Sequence, residues 1–204
     1  MKNQSHTYTA LELLEKLSTQ TEAQLQWAIA ECQMLPPAVV EAVPTPGAWS
    51  ANQCLQHLNS YGRYYLPLLQ KAIKKADKQN PQTSNTYTPG WLGGWFARTM
   101  ETGPGDVPKK KMKAPANHTP AANIPSHAVI AEFIDQLELL LELLQEAAHV
   151  DLASARVPIS IAPFITIKLG DTFWFLAAHI QRHVAQAKRA IDHVPNSKHT
   201  IPSL

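Results

Sequence analysis

Four stretches of this chain carry apolar residues at helical spacing, and proline-bearing segments separate them. In 8–33, Leu11, Leu14, Leu17, Leu25 and Ile29 recur with polar residues between them, the pattern of a half-buried helix. Thr9 followed by Glu12 forms a capping-box sequence at its start. Pro36 and Pro37 end it, and 36–49, with four prolines and Gly47, reads as a rigid loop. Ser50 is placed to cap a second helix to about Asp77, with a stripe of Leu55, Leu58, Tyr65, Leu66, Leu69 and Ile73. Pro67 is expected to kink it. Ser126 opens a third over 126–148, whose stripe is Val129, Phe133, Leu137, Leu140, Leu141 and Leu144. Asp171 caps a fourth over 172–193, lined by Phe173, Leu176, Ala177, Ile180, Val184, Ala187 and Ile191. Such a set predicts an all-α four-helix bundle with long crossover loops, as one domain over 1–204.

The connections are longer than compact domains usually tolerate. Segment 78–88 is polar, GWLGGWFARTM (90–100) reads as a short apolar helix or hook, and 101–125 is rich in Pro, Gly and Lys. Segment 149–170 contains VPISIAPFITIKLG, apolar and proline-broken, and is expected to pack over the bundle without forming a sheet. After Pro195 the chain is polar and expected to fray.

The chain has 204 residues and a net charge of +2. That is long enough to bury a core without disulfides or a structural metal. So balanced a charge argues against nucleic-acid partners. Cys32 and Cys54 form no CxxC motif, which favours a reduced, cytoplasmic setting. No secretory leader or long apolar run is visible, and no membrane partner is expected.

Chemistry concentrates in histidines. His179 and His183 in AAHIQRHVAQ stand four residues apart, one turn along one helix face. Both fall on the shoulder of the fourth helix's apolar stripe. His57 in WSANQCLQHL does so on the second helix, beside Cys54 and Tyr61. Two imidazoles from one helix and a third from another make a three-ligand metal site with an open position, the form that does chemistry. Imidazole suits zinc, nickel, iron or copper over magnesium or calcium. Ile180 stands where a zincin protease has its glutamate, so that reading is weak. Glu146–His149 is half of a di-iron motif with no second half, and is discounted.

Other residues take plainer roles. Cys54 reads as a core thiol. Trp91, Trp95, Trp174 and Tyr61 read as packing groups. His118, His127, His193 and His199 read as surface residues. Lys109, Lys110, Lys111 and Lys113 read as a solvated loop, with cation supply to an anionic ligand as the lesser reading.

Taken together, Trp49, Ser50, Leu55, His57 and Leu58, followed far downstream by His179, His183 and Gln186, resemble the paired motifs of the DinB-like superfamily. Gln53 stands where many relatives have Glu, removing a charge near the approach to the site. The 78–125 insertion exceeds that of minimal members. The resemblance implies up-up-down-down topology, a homodimer, and zinc or nickel held by His57, His179 and His183. It also implies use of a low-molecular-weight thiol, which the metal activates for S-transfer to an electrophilic small molecule. Two alternatives stand beside this reading. One is a hydrolase that activates water on the same ligands. The other is a non-catalytic dimeric metal-binding or stress-response protein that uses the apolar 90–100 and 161–167 segments as an interface.

Overall fold

A computed structural model describes residues 8–79, 86–108, 112–121 and 124–194. It is mostly helical. The long helices are α1 (Ala10–Ala30), α3 (Ala51–Gln79), α5 (Ser126–Glu146) and α6 (Leu169–Asp192). Two short ones, α2 (Pro37–Val40) and α4 (Trp91–Met100), lie in the connections. Helices α1 and α3 each pack on both α5 and α6, so the four long helices share one apolar core. No helix among the described residues is long and apolar enough to cross a membrane.

Helix α1 opens with the expected capping box. The Glu12 N–H donates to Thr9 Oγ1 at 3.1 Å, and the Thr9 N–H donates to the Glu12 carboxylate at 2.9 Å. Its buried face differs from the predicted stripe. Ala10, Leu13, Leu14, Leu17, Thr21 and Ala28 face inward, whereas Leu11 is 51% exposed and Ile29 37%. At 100° per residue these two sit about 100° round from the centre of the buried face. Helix α3 is capped reciprocally by Ser50 and Gln53. The Gln53 N–H donates to Ser50 Oγ at 3.2 Å, and the Ser50 N–H donates to Gln53 Oε1 at 3.0 Å. Gln53 thus serves the cap, where an amide does the work of a carboxylate. The helix runs as one element across Pro67, whose ring faces solvent.

Two other expected caps are supplied differently. Ser126 is itself the first residue of α5, and its N–H donates to Glu41 Oε1 at 2.9 Å. The cap therefore comes from a carboxylate in another loop. Leu143 and not Leu141 completes the buried face of α5. Asp171 lies inside α6, which begins at Leu169. It is buried and accepts the Tyr87 hydroxyl at 2.6 Å and the Gly90 N–H at 3.0 Å. These bonds tie α4 and strand β2 (Thr86–Tyr87) to α6. Strand β2 pairs antiparallel with β1 (Tyr8–Thr9). Gly93 completes the junction, because a Cβ there would collide with the Asp171 side chain.

The 149–170 segment corrects the prediction most plainly. It contains an antiparallel hairpin of β3 (Arg156–Ile159) and β4 (Ala162–Lys168), with an irregularity between Pro158 and Ile159. Val157, Ile159 and Ile167 turn inward while their neighbours turn outward, and the bulge accommodates the proline. Tyr65 accepts the Ser160 N–H at 3.0 Å, and Tyr64 donates to the Ile159 carbonyl at 3.3 Å, docking the hairpin on α3. The expected fraying after Pro195 lies outside the described residues.

Candidate metal centre

Helices α3 and α6 pack against each other and bring His57, His179 and His183 together. One ligand atom from each lies within 4.8 Å of the others. His57 Nε2 and His179 Nε2 are 3.2 Å apart. Two nitrogens sharing a tetrahedral cation at metal–nitrogen distances near 2.05 Å stand about 3.3 Å apart, so the spacing fits a divalent ion.

Hydrogen bonding aims the rings. The Nδ1–H of His57 donates to the His118 carbonyl at 2.7 Å, which leaves Nε2 as a lone pair directed at His179. The Nδ1–H of His183 donates to Gln186 Oε1 at 3.1 Å, which frees its Nε2 in the same way. His179 Nδ1 is buried without a partner, and its ring stacks on Phe175 at 5.4 Å. With His57 Nε2 an acceptor, the 3.2 Å contact is met either by a proton on His179 Nε2 or by a cation that takes the lone pairs of both nitrogens. Tethering of the outer ring nitrogen is the arrangement that fixes tautomer and orientation in histidine metal sites.

Electrostatics keep the donors neutral. Burial lowers the His57 pKa, partly offset by its bond to His118. Burial, then the neighbouring His57 and Arg182, pushes His183 down to about 3. His179 lies well below the usual range for the same first reason, with His183 next. Imidazole binds metal as the neutral base, so all three are in ligating form at neutral pH.

His118 corrects the prediction that it lies on the surface. It ends a short 3-10 turn, Ala116–His118, in the long connection and is 4% exposed. Besides its carbonyl bond to His57, its ring stacks on Tyr61 at 3.8 Å and its Nδ1 bonds Ser60 Oγ at 2.9 Å. Burial holds its pKa down to about 4. The contact with His57 spans 61 residues of sequence, and no local periodicity reports it. His127 and His193 are exposed as expected, and His199 lies outside the described residues.

Cys54 is buried in the core, and burial raises its thiol to about 12. Trp174 is buried, but Trp91 is 84% exposed and Trp95 53%, so these two do not pack as predicted. Glu146 and His149 are exposed at the end of α5.

The three histidines open onto a cleft of about 820 Å³. Trp49, Tyr61, Phe96, Met100 and Phe175 give it an aromatic and apolar wall, and Arg182, Arg189 and Lys113 bring positive charge. No Asp or Glu is among the described residues that line it. Lys109, Lys110 and Lys111 lie outside the described residues.

Comparison with known proteins adds one match. The family model described as DinB superfamily covers residues 7–187. No curated protein and no solved structure matches the chain.

Proposed function

The chain belongs to the DinB superfamily, and from that premise we propose that it is a metal-dependent enzyme. In this reading His57, His179 and His183 hold zinc or nickel, and a low-molecular-weight thiol is activated for S-transfer to an electrophilic small molecule. The observation that carries it is the convergence of three neutral imidazoles, two with tethered outer nitrogens, on the floor of a large cleft. A bound divalent cation supplies Lewis acidity, lowering the pKa of a thiol or water at its open position.

The chain's own residues supply the rest. His118 and Gln186 hold two ligand rings in orientation. Trp49 lies 5.0 Å from the His57 ring and 6.0 Å from the His183 ring, and Phe175 stacks on His179, so aromatic rings pack beside all three imidazoles. Hydrolysis is the weaker reading, because it calls for a general base, and no carboxylate lies among the described cleft residues. A thiol, with an ordinary pKa of about 8.5, needs only a modest shift to become the nucleophile at neutral pH.

The same reading takes the chain as one cytoplasmic domain, an up-up-down-down bundle that works as a homodimer. Trp91 and Trp95 on α4 and Phe164 on the adjoining β4 are exposed, an apolar surface suited to a second copy.

Elemental analysis of the wild type and of His183→Ala tests the centre, followed by turnover of monochlorobimane with bacillithiol, mycothiol, glutathione or simple thiols. We expect about one ion per chain in the wild type and less than about a tenth of that in the variant, with helical signal retained. A metallated protein inert with every thiol would remove the transferase reading.

A further inference from the structure

His57, Tyr61 and Tyr65 follow one another at four-residue steps along α3, so their side chains share one face of that helix. All three line the cleft. Tyr65 lies ~12 Å along the helix axis from the metal ligand. Its ring stacks on that of Tyr61 with centres 6.1 Å apart, and it lies 5.8 Å from Phe175. Phe175 in turn meets Phe96 at 6.5 Å. With Ile159 and Ile161 of the hairpin, these rings make one end of the cleft apolar. Arg182 and Arg189 lie about two and four turns of α6 beyond Phe175, toward the other end.

The Tyr65 hydroxyl uses only part of its bonding capacity. A phenolic oxygen can accept and its proton can be donated. The oxygen accepts the Ser160 N–H at 3.0 Å, and Ser160 also lines the cleft, which puts this oxygen in the cleft wall at the tip of the hairpin. That is its only hydrogen bond among the described residues, and it occupies a lone pair, not the proton. Tyr65 is 2% exposed, and burial raises its pKa, so the proton stays on at neutral pH. A buried hydroxyl proton left without an acceptor is costly. The neighbouring Tyr64 differs, because its proton goes to the Ile159 carbonyl at 3.3 Å and its side chain does not line the cleft.

We propose that the Tyr65 hydroxyl donates a hydrogen bond to the ligand of the cleft, and that this ligand carries an uncharged carbonyl oxygen on an apolar body. Phe96, Phe175 and the hairpin isoleucines offer the apolar body its surface, and the cleft volume suits a molecule of drug-like size. A charged acceptor would shed its hydration among these rings at a high cost, whereas a carbonyl sheds little. The proposal names the ligand class for the cleft treated above as a thiol-transfer site, and so rests on that cleft binding a small molecule. It does not require the metal.

The test uses the full metal-stripped chain and two probes of nearly equal shape, 4-phenylbutan-2-one and the alkene in which CH2 replaces its carbonyl oxygen. Affinities are read by calorimetry, and the carbonyl stretch of the bound ketone by infrared difference spectroscopy with a 13C label. Tyr65→Phe should weaken the ketone about fivefold and the alkene less than twofold. Tyr64→Phe, which also loses a bond to the hairpin, should change neither by more than about twofold. The bound carbonyl band should lie below its position in hydrocarbon solvent and rise again in Tyr65→Phe. If that variant misfolds, protein made with 3-fluorotyrosine, a stronger donor, should lower the band further. Equal losses for both probes in Tyr65→Phe, no binding of the ketone, or a band that ignores Tyr65→Phe and the fluorinated ring would overturn the proposal. A zinc-loaded protein inert with every thiol, in which the Tyr65-dependent ketone preference persists, would remove the transfer reading and leave this one standing.

Discussion

The Nδ1–H of His57 is held by the main-chain carbonyl of His118 at 2.7 Å. A carbonyl does not titrate and cannot rotate away as a side chain can. The His57 ring is therefore fixed in one tautomer by the path of the long connection, and its Nε2 faces α6.

Gln186 does the corresponding work for His183 with a side chain, which can be removed. Gln186→Leu should weaken zinc affinity by about 10- to 100-fold without unfolding α6. A competition titration against a chromophoric chelator measures this. Unchanged affinity would mean that the 3.1 Å bond does not orient the ligand.

Acid should destabilise the metal-free protein through its imidazoles. The fold holds His118 at about 4 and His183 at about 3, chiefly by burial, against about 6.5 in an unfolded chain. Both pKa values are depressed, so below about 6.5 the unfolded state takes up protons that the folded state refuses. Stability is full above that pH and falls as pH drops toward 4, by up to about 1.4 kcal/mol per pH unit for each such proton. Urea midpoints from pH 7.5 to 5 should show the decline, and His183→Ala should flatten it. A profile of equal slope in that variant would contradict the assignment.

Tyr87→Phe probes the junction of α4 with α6. The change removes the 2.6 Å bond to Asp171 and leaves a buried carboxylate with the Gly90 N–H as its remaining donor described above. A loss of about 1–3 kcal/mol is expected, read from chemical denaturation. A change below about 0.5 kcal/mol, the ordinary range of surface substitutions, would show that Asp171 is satisfied without Tyr87.

The thiols should be silent. Burial raises both Cys32 and Cys54 to about 12, and nucleophilic attack needs the thiolate. At pH 8 a disulfide reagent should label neither in the native protein within minutes, and both in denaturant. Rapid native labelling of one thiol would place it at the cleft and not in the core.

What the sequence disclosed, and what it hid, follows from the range of the interactions. Helix periodicity is local, so α1, α3, α5 and α6 were legible, as was the Thr9–Glu12 box. The helical spacing of His179 and His183 was local too, and the structure places His57 against them. Hidden features depend on distant partners. Glu41 caps α5 across 85 residues, and Tyr87 reaches Asp171 across 84. His118 carries no local mark of burial. Pro158 and Pro163 read as breakers and so conceal the hairpin, although the alternation of Val157 and Ile159 is present in the chain.

The connection that carries His118 also contributes Pro108, Met112 and Pro115 to the cleft wall. One strip of backbone thus frames the doorway and sets the aim of a ligand ring within. Replacing or shortening it to admit bulkier guests would disturb the imidazole behind it, so breadth of access and integrity of the three-nitrogen cluster are not separate design variables in this molecule.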